Sequence, residues 1–186
     1  MKRIIEKMTE TPLVFDGAMG TMIYEKGVFV NACYDELNLT NPKLIKSIHQ
    51  EYVDAGCDVI LTNTFGANKF KLEKFGLSNK LYEINFQGVK IAREVAKEDV
   101  YVLASIGPCI EKGKSVTVEN IDSLKENYET QLKAISEAGA DGVIFESHYN
   151  MDEIEIASSI AKKYDLPVIV SLACKKERET LNGLNI

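Results

Sequence analysis

The sequence predicts an α/β domain built on a parallel sheet, and three observations carry that reading. Five short apolar runs rich in β-branched or aromatic residues recur, at 13–15, 58–62, 100–106, 142–146 and 167–172. They lack the polar alternation of half-solvated strands, which suits parallel strands covered on both faces. Segments of helical periodicity separate the runs, and strands alternating with helices imply right-handed βαβ units. The third observation is a repeat: "DAGCDVILTNT" at 54–64 returns as "EAGADGVIFES" at 137–147. Each copy reads as a helix ending in glycine, then a buried strand that finishes in polar residues.

The elements follow in order. The first strand, Leu13-Val14-Phe15, runs into "FDGAMGT", and a long loop is expected over 17–41. Loops of that length are often functional. The first helix has Asn41 as its cap, Pro42 at its first position and a stripe of Leu44, Ile45, Ile48, Tyr52 and Val53, and Gly56 ends it. Further helices are expected over about 79–97, 120–138 and 151–164. Asn150 caps the last, and Asp152 and Glu153 sit in its first turn, where the helix dipole favours acidic groups. Strand starts about 25 to 45 residues apart fit a parallel (β/α) barrel of TIM type. Eight such units need about 200–250 residues. The chain is therefore expected to supply about the first five βα units, as a single partial barrel domain over residues 1–186.

Bulk properties narrow the function classes. With 186 residues, 45% hydrophobic and 27% charged, the chain has the balance of one globular domain. A net charge of -6 argues against a nucleic-acid partner, which favours a concentrated basic face. No apolar stretch approaches the roughly 20 residues of a membrane span. The opening "MKRIIEKMTE" has no apolar core of a signal peptide. Cys33, Cys57, Cys109 and Cys174 lie far apart and form no C-x-x-C pair, so reduced thiols and a cytoplasmic location are expected.

In parallel βα folds, sites form where strands end. The strand ends here supply Asp16 to Thr21, Thr62 to Phe65, Ser105 to Pro108, Glu146 to His148, and Ser171, Ala173 and Cys174. Two carboxylates and several small polar residues converge on one rim. Carboxylates suit the ammonium of a small amino acid, and N–H groups of a glycine turn suit its carboxylate. Glu146 stands out because a carboxylate that ends the apolar run "GVIF" is costly unless paired. Plainer readings stand beside these. An Asp-Gly after a strand is more often a turn than a site. "GAMG" has neither the Walker spacing nor G-x-G-x-x-G. His148 reads as a solvated or satisfied loop residue, His49 as structural and Cys57 as packed. Cys109 and Cys174 lie near the rim, but two lone thiols do not make a metal site.

"FDGAMGT", "DELNLTNPKLIKSIHQEYVDAGCDVILTNTFGAN", "ASIGP" and "AGADGVIFES" appear in this order, and together they resemble the homocysteine S-methyltransferase family. Within it they are most similar to the N-terminal homocysteine-binding domains of cobalamin-dependent methionine synthases. The resemblance implies a (β/α)8 barrel and methyl transfer to a homocysteine thiolate, giving methionine. It implies that Asp16 and Glu146 orient the homocysteine amino group, that N–H groups near Gly17 and Ala18 receive its carboxylate, and that Asn63 and Thr64 line the pocket. It also implies zinc held by three cysteine thiolates in the complete family domain, and cobalamin or methyltetrahydrofolate as the methyl source on other domains. The family's zinc ligands are a cysteine on a late strand and a Cys-Cys pair in "GGCCG". This chain has no adjacent cysteines, and none of its four matches a ligand position, so the family's cysteine ligands are expected to lie beyond Ile186. The chain is therefore expected to be the N-terminal portion of such a domain, with neither metal nor catalytic residues of its own, and inactive in isolation. The expected partners are homocysteine and either a second copy or a complementary C-terminal fragment, not nucleic acid or membrane. The alternatives are a non-catalytic partial-barrel module that needs a partner chain, and an unrelated aldolase-type enzyme. The lack of a strand-end lysine counts against the latter.

Overall fold

The computed structural model describes residues 3–176, 179, 180 and 183. In chain order, α1 (Ile4–Glu10), α2 (Met19–Glu25), α3 (Leu37–Thr40) and α4 (Pro42–Asp54) precede β1 (Val59–Leu61). Then come α5 (Lys69–Leu72), α6 (Leu81–Ala96), β2 (Tyr101–Ile106), α7 (Ile121–Ala138), β3 (Gly142–His148), α8 (Met151–Lys163) and β4 (Val168–Leu172). The strands form one parallel sheet in the order β1-β2-β3-β4. The fold is thus α/β with a parallel sheet.

Alternation along the strands sorts their side chains between two faces. Ile60, Val102, Ala104, Ile106, Val143 and Phe145 point outward, into a core shared with Val89, Tyr128, Leu132, Ile135, Ala157 and Ile160 of the covering helices. Tyr128 meets Phe145 edge-on, with ring centroids 6.1 Å apart, a geometry that aromatic pairs favour. Val59, Tyr101, Leu103 and Ile144 point inward and pack on Ile4 of α1. The next inward positions along β2 and β3 are Ser105 and Glu146, so the inner face is apolar at one end and polar at the strand ends.

Several helix boundaries match the sequence reading. Asn41 accepts from the Leu44 N–H with Pro42 at the first turn, and Asn150 accepts from the Glu153 N–H at 3.1 Å. Gly56 and Gly139 adopt φ of 91° and 90°, the left-handed conformation that both copies of the repeat need at the helix end.

Four points differ. The expected five-strand count becomes four among the described residues: Leu13-Val14-Phe15 lies parallel to β1 but makes only one bridge, Phe15 to Val59. Its pairing stops at Asp16, whose side chain takes the Leu61 N–H that the backbone of a continuing strand would accept. The expected loop over 17–41 contains α2 and α3, and α1 precedes the first apolar run. The fifth apolar run is not covered on both faces: no residue of β4 is buried, whereas every residue of β2 is. His148 is neither solvated nor in a loop. It ends β3, fully buried, with Nε2 3.1 Å from the Ile106 carbonyl.

Candidate functional site

The polar strand ends open into a cleft of about 520 Å³. It brings together all six residues singled out for substrate: Asp16, Gly17, Ala18, Asn63, Thr64 and Glu146. Tyr34, Asp35, Phe65, Lys71, Ser105 and Ser147 complete the lining that matters chemically.

Asp16 is fixed by the edge of the sheet. Its N–H donates to the Val59 carbonyl at 2.9 Å, and its Oδ2 accepts from the Leu61 N–H at 2.9 Å. Its Oδ1 is buried with no hydrogen-bond partner among the described residues. Burial pushes its pKa up to about 7; the Leu61 N–H opposes that shift and the Glu146 charge adds to it. Glu146 accepts from the Ser105 hydroxyl at 2.7 Å, an inner-face neighbour on the adjacent strand. Among the described residues neither carboxylate forms an ion pair. Two half-buried carboxylates that share a cleft and pair with no cation among the described residues make a seat for a small ammonium group.

The glycine turn is held by α4. Tyr52 donates to the Ala18 carbonyl at 3.1 Å. A Cβ on Gly17 would stand 2.8 Å from the Tyr52 hydroxyl, so a larger residue there would push the Tyr52 ring away from the turn it braces.

Asn63 and Thr64 have their polar atoms largely committed within the protein. The Asn63 amide donates to the Tyr34 carbonyl at 2.7 Å and to Asn38 at 3.2 Å. Thr64 pairs with the Thr62 hydroxyl and donates to the Ser105 carbonyl at 2.8 Å. Both therefore shape the wall rather than present free donors. β3 carries a bulge between Phe145 and His148, and Ser147 adopts a left-handed φ of 59°. Ser147 thus stays in the cleft wall beside Glu146 while His148 turns into the core against Phe145.

Tyr34, Asp35 and Lys71 were not singled out from the sequence. Asp35 begins the "DELNLT" stretch, and its Oδ1 accepts from the Gly66 N–H at 2.9 Å. Burial raises the Asp35 pKa to about 6, opposed by Gly66 and by the Lys71 charge. No periodicity marks these residues, because Tyr34 and Asp35 lie in a loop and Lys71 in the four-residue α5.

The zinc implied by the resemblance does not fit the described residues. All four cysteines are free; Cys33, Cys57 and Cys109 are buried and Cys174 is exposed. Among the described residues no group of three His, Cys, Asp or Glu side chains could hold a metal ion. Burial pushes the Cys57 thiol up and, more strongly, raises Cys109 above the usual thiol range, the opposite of what a thiolate ligand requires. Ile186, beyond which the sequence reading puts the family's cysteine ligands, lies outside the described residues. No helix among the described residues is long and apolar enough to cross a membrane.

Comparison with known proteins gives the chain's relatives and its fold. Methionine synthase from Mycobacterium leprae is 29% identical over 166 residues, which cover 83% of this chain and 14% of that protein. The Mycobacterium tuberculosis methionine synthase is 27% identical over 166 residues, with the same coverage. The chain thus spans 14% of the length of these relatives. Among solved structures, the metallated form of the homocysteine methyltransferase MmuM from Escherichia coli superposes with a TM-score of 0.85 at 19% identity, covering 99% of this chain and 71% of that one. The oxidized form gives 0.80 at 22% identity, covering 92% and 65%. These likenesses show a shared fold. The sequence profile described as homocysteine S-methyltransferase matches residues 13–186, so the chain belongs to the homocysteine S-methyltransferase family.

Proposed function

We propose that the cleft binds homocysteine and that the chain serves homocysteine S-methylation, as a single partial TIM-type barrel domain over residues 1–186. The observation that carries this reading is the convergence of Asp16 and Glu146, free of any ion pair among the described residues, on one small cleft. Asp16 and Glu146 receive the substrate ammonium. The N–H groups of Gly17 and Ala18 receive its carboxylate, on a turn braced by Tyr52. Asn63 and Thr64 hold the wall. In the reaction a sulfur–carbon bond forms to homocysteine, the bond between the methyl group and its carrier breaks, and the sulfur gives up its proton. This chain's part is to hold and orient the amino acid. Cobalamin or methyltetrahydrofolate on other domains is the methyl source we favour, and free cysteines suit a cytoplasmic setting.

Calorimetric titration of the chain with L-homocysteine and with 4-mercaptobutanoic acid tests the assignment. The second compound keeps thiol and carboxylate but lacks the amine. Homocysteine is expected to bind and its deaminated analogue to bind at least tenfold more weakly. Equal affinity for the two would remove Asp16 and Glu146 from substrate recognition.

A further inference from the structure

A second cavity of about 360 Å³ lies beside the cleft, and Phe65, Lys71 and Ser147 form the wall common to both. Its remaining lining is largely apolar and aromatic, with Phe70, Pro108, Ile110 and Tyr149. A methyl donor must approach the substrate sulfur from a space adjoining the amino-acid cleft, and this cavity adjoins it. Aromatic faces are common seats for sulfonium and quaternary ammonium groups, and carboxylates nearby strengthen them. Phe65 resembles such a seat. Its ring is partly exposed, it lies where a Cβ on Gly107 would stand 2.8 Å away, and Asp35 is next to Gly66, which follows it.

The seat is already taken. Lys71 Nζ stands 4.4 Å from the Phe65 ring centroid. Among the described residues this ammonium makes no ion pair and no hydrogen bond. Burial lowers its pKa, and the Asp35 charge opposes that by favouring the protonated form. Lys74 and Lys112 add positive charge to the same cavity, offset in part by Glu111, which pairs with Lys74 at 3.4 Å.

We propose that Lys71 determines methyl-donor specificity: its ammonium fills the cation–π position on Phe65, so the adjoining cavity excludes onium donors and admits a neutral or anionic one. A second cation brought to that ring would lie within a few ångströms of a like charge in a half-buried setting, where repulsion is poorly screened. The assignment of this cavity to the methyl donor rests on the homocysteine reading above.

The test uses the full chain as wild type, Lys71→Met, Lys71→Gln, Lys71→Arg and the double variant Phe65→Leu/Lys71→Met. Each is titrated separately with tetramethylammonium chloride, at ionic strength matched with sodium chloride, and with L-homocysteine. Wild type and Lys71→Arg are expected to bind tetramethylammonium only weakly, at the Asp16 and Glu146 carboxylates and not on Phe65. Lys71→Met and Lys71→Gln are expected to gain binding on Phe65, at least tenfold tighter than wild type, and Phe65→Leu/Lys71→Met to lose it again. Binding that is equal in wild type and Lys71→Met overturns the proposal. So does a cooperatively folded Lys71→Met or Lys71→Gln that gains nothing. A gain of tetramethylammonium binding without any homocysteine binding would sink the substrate assignment and leave the onium exclusion standing.

Discussion

At the scale of single residues, the site's chemistry depends on protonation. Asp16 must be ionised to hold an ammonium group, and its pKa is about 7. The ionised fraction therefore climbs between pH 6 and pH 8, and homocysteine affinity should climb by roughly tenfold over that range. Asp16→Asn should flatten the rise, as titration calorimetry at three pH values would show. Glu146→Gln removes a charge-assisted contact and should weaken binding by about 1.5–3 kcal/mol; an unchanged affinity would take Glu146 out of the site. His49 supplies a stability test. It is fully buried, neither ring nitrogen has a partner among the described residues, and burial lowers its pKa to about 4. The fold prefers the neutral ring, so its contribution is complete above about pH 6.5 and is lost as pH falls toward 4. Asp16 and Asp35 shift in the opposite sense and mask this in the wild type alone. The difference between wild type and His49→Leu isolates it. From pH 6.5 to 4.5 the wild type should lose about 2 kcal/mol in total relative to the variant in denaturant melts. Asp16 and Glu146 were legible in the sequence because each breaks an apolar run at its end. Lys71 and Asp35 were not, because their meeting at the rim depends on how the chain between α2 and α6 folds.

At the scale of elements, local chemistry explains both what the sequence made plain and what it hid. The helix caps Asn41 and Asn150 and the two αβ glycines are short-range signals, and each appears where the sequence put it. Gly139 follows α7 with its φ at 90°, a conformation an L-residue adopts at a cost of about 1–2 kcal/mol. Gly139→Ala should therefore destabilise the chain by that amount in chemical denaturation, with the slope against denaturant unchanged. A neutral outcome would mean that the helix end relaxes into another conformation. The bulge in β3 was hidden, since a regular strand would place Ser147 and His148 on the opposite faces from those observed. Only the left-handed Ser147 backbone turns the histidine outward, into the core against Phe145. α2 and α3 were hidden for a different reason. They span only 7 and 4 residues, too short for periodicity to stand out, and they are held by long-range contacts such as Asn38 to the Asn63 carbonyl at 2.8 Å.

At the scale of the whole molecule, the sheet's outer face is covered and its inner face only partly so. α1 closes the apolar end of the inner face through Ile4, and the other end is the cleft. The two sides of the sheet differ from its middle. Val14 is 61% exposed beside β1, and Val170 is 40% exposed in β4. Both sit in apolar runs, and β4 ends the sheet among the described residues. An edge strand offers unpaired N–H and C=O groups along its length, and apolar side chains beside such an edge invite pairing with another chain. We therefore expect self-association in solution, with a second copy joining at β4 or along the inner face. Static light scattering over a hundredfold range of concentration should show the average mass rising above the 20.7 kDa of one chain. Val170→Lys, which places a charge on the exposed edge, should lower that mass without changing the cooperativity of unfolding. A mass that stays at one chain throughout the range, for the wild type, would show that the edge at β4 is not a pairing surface.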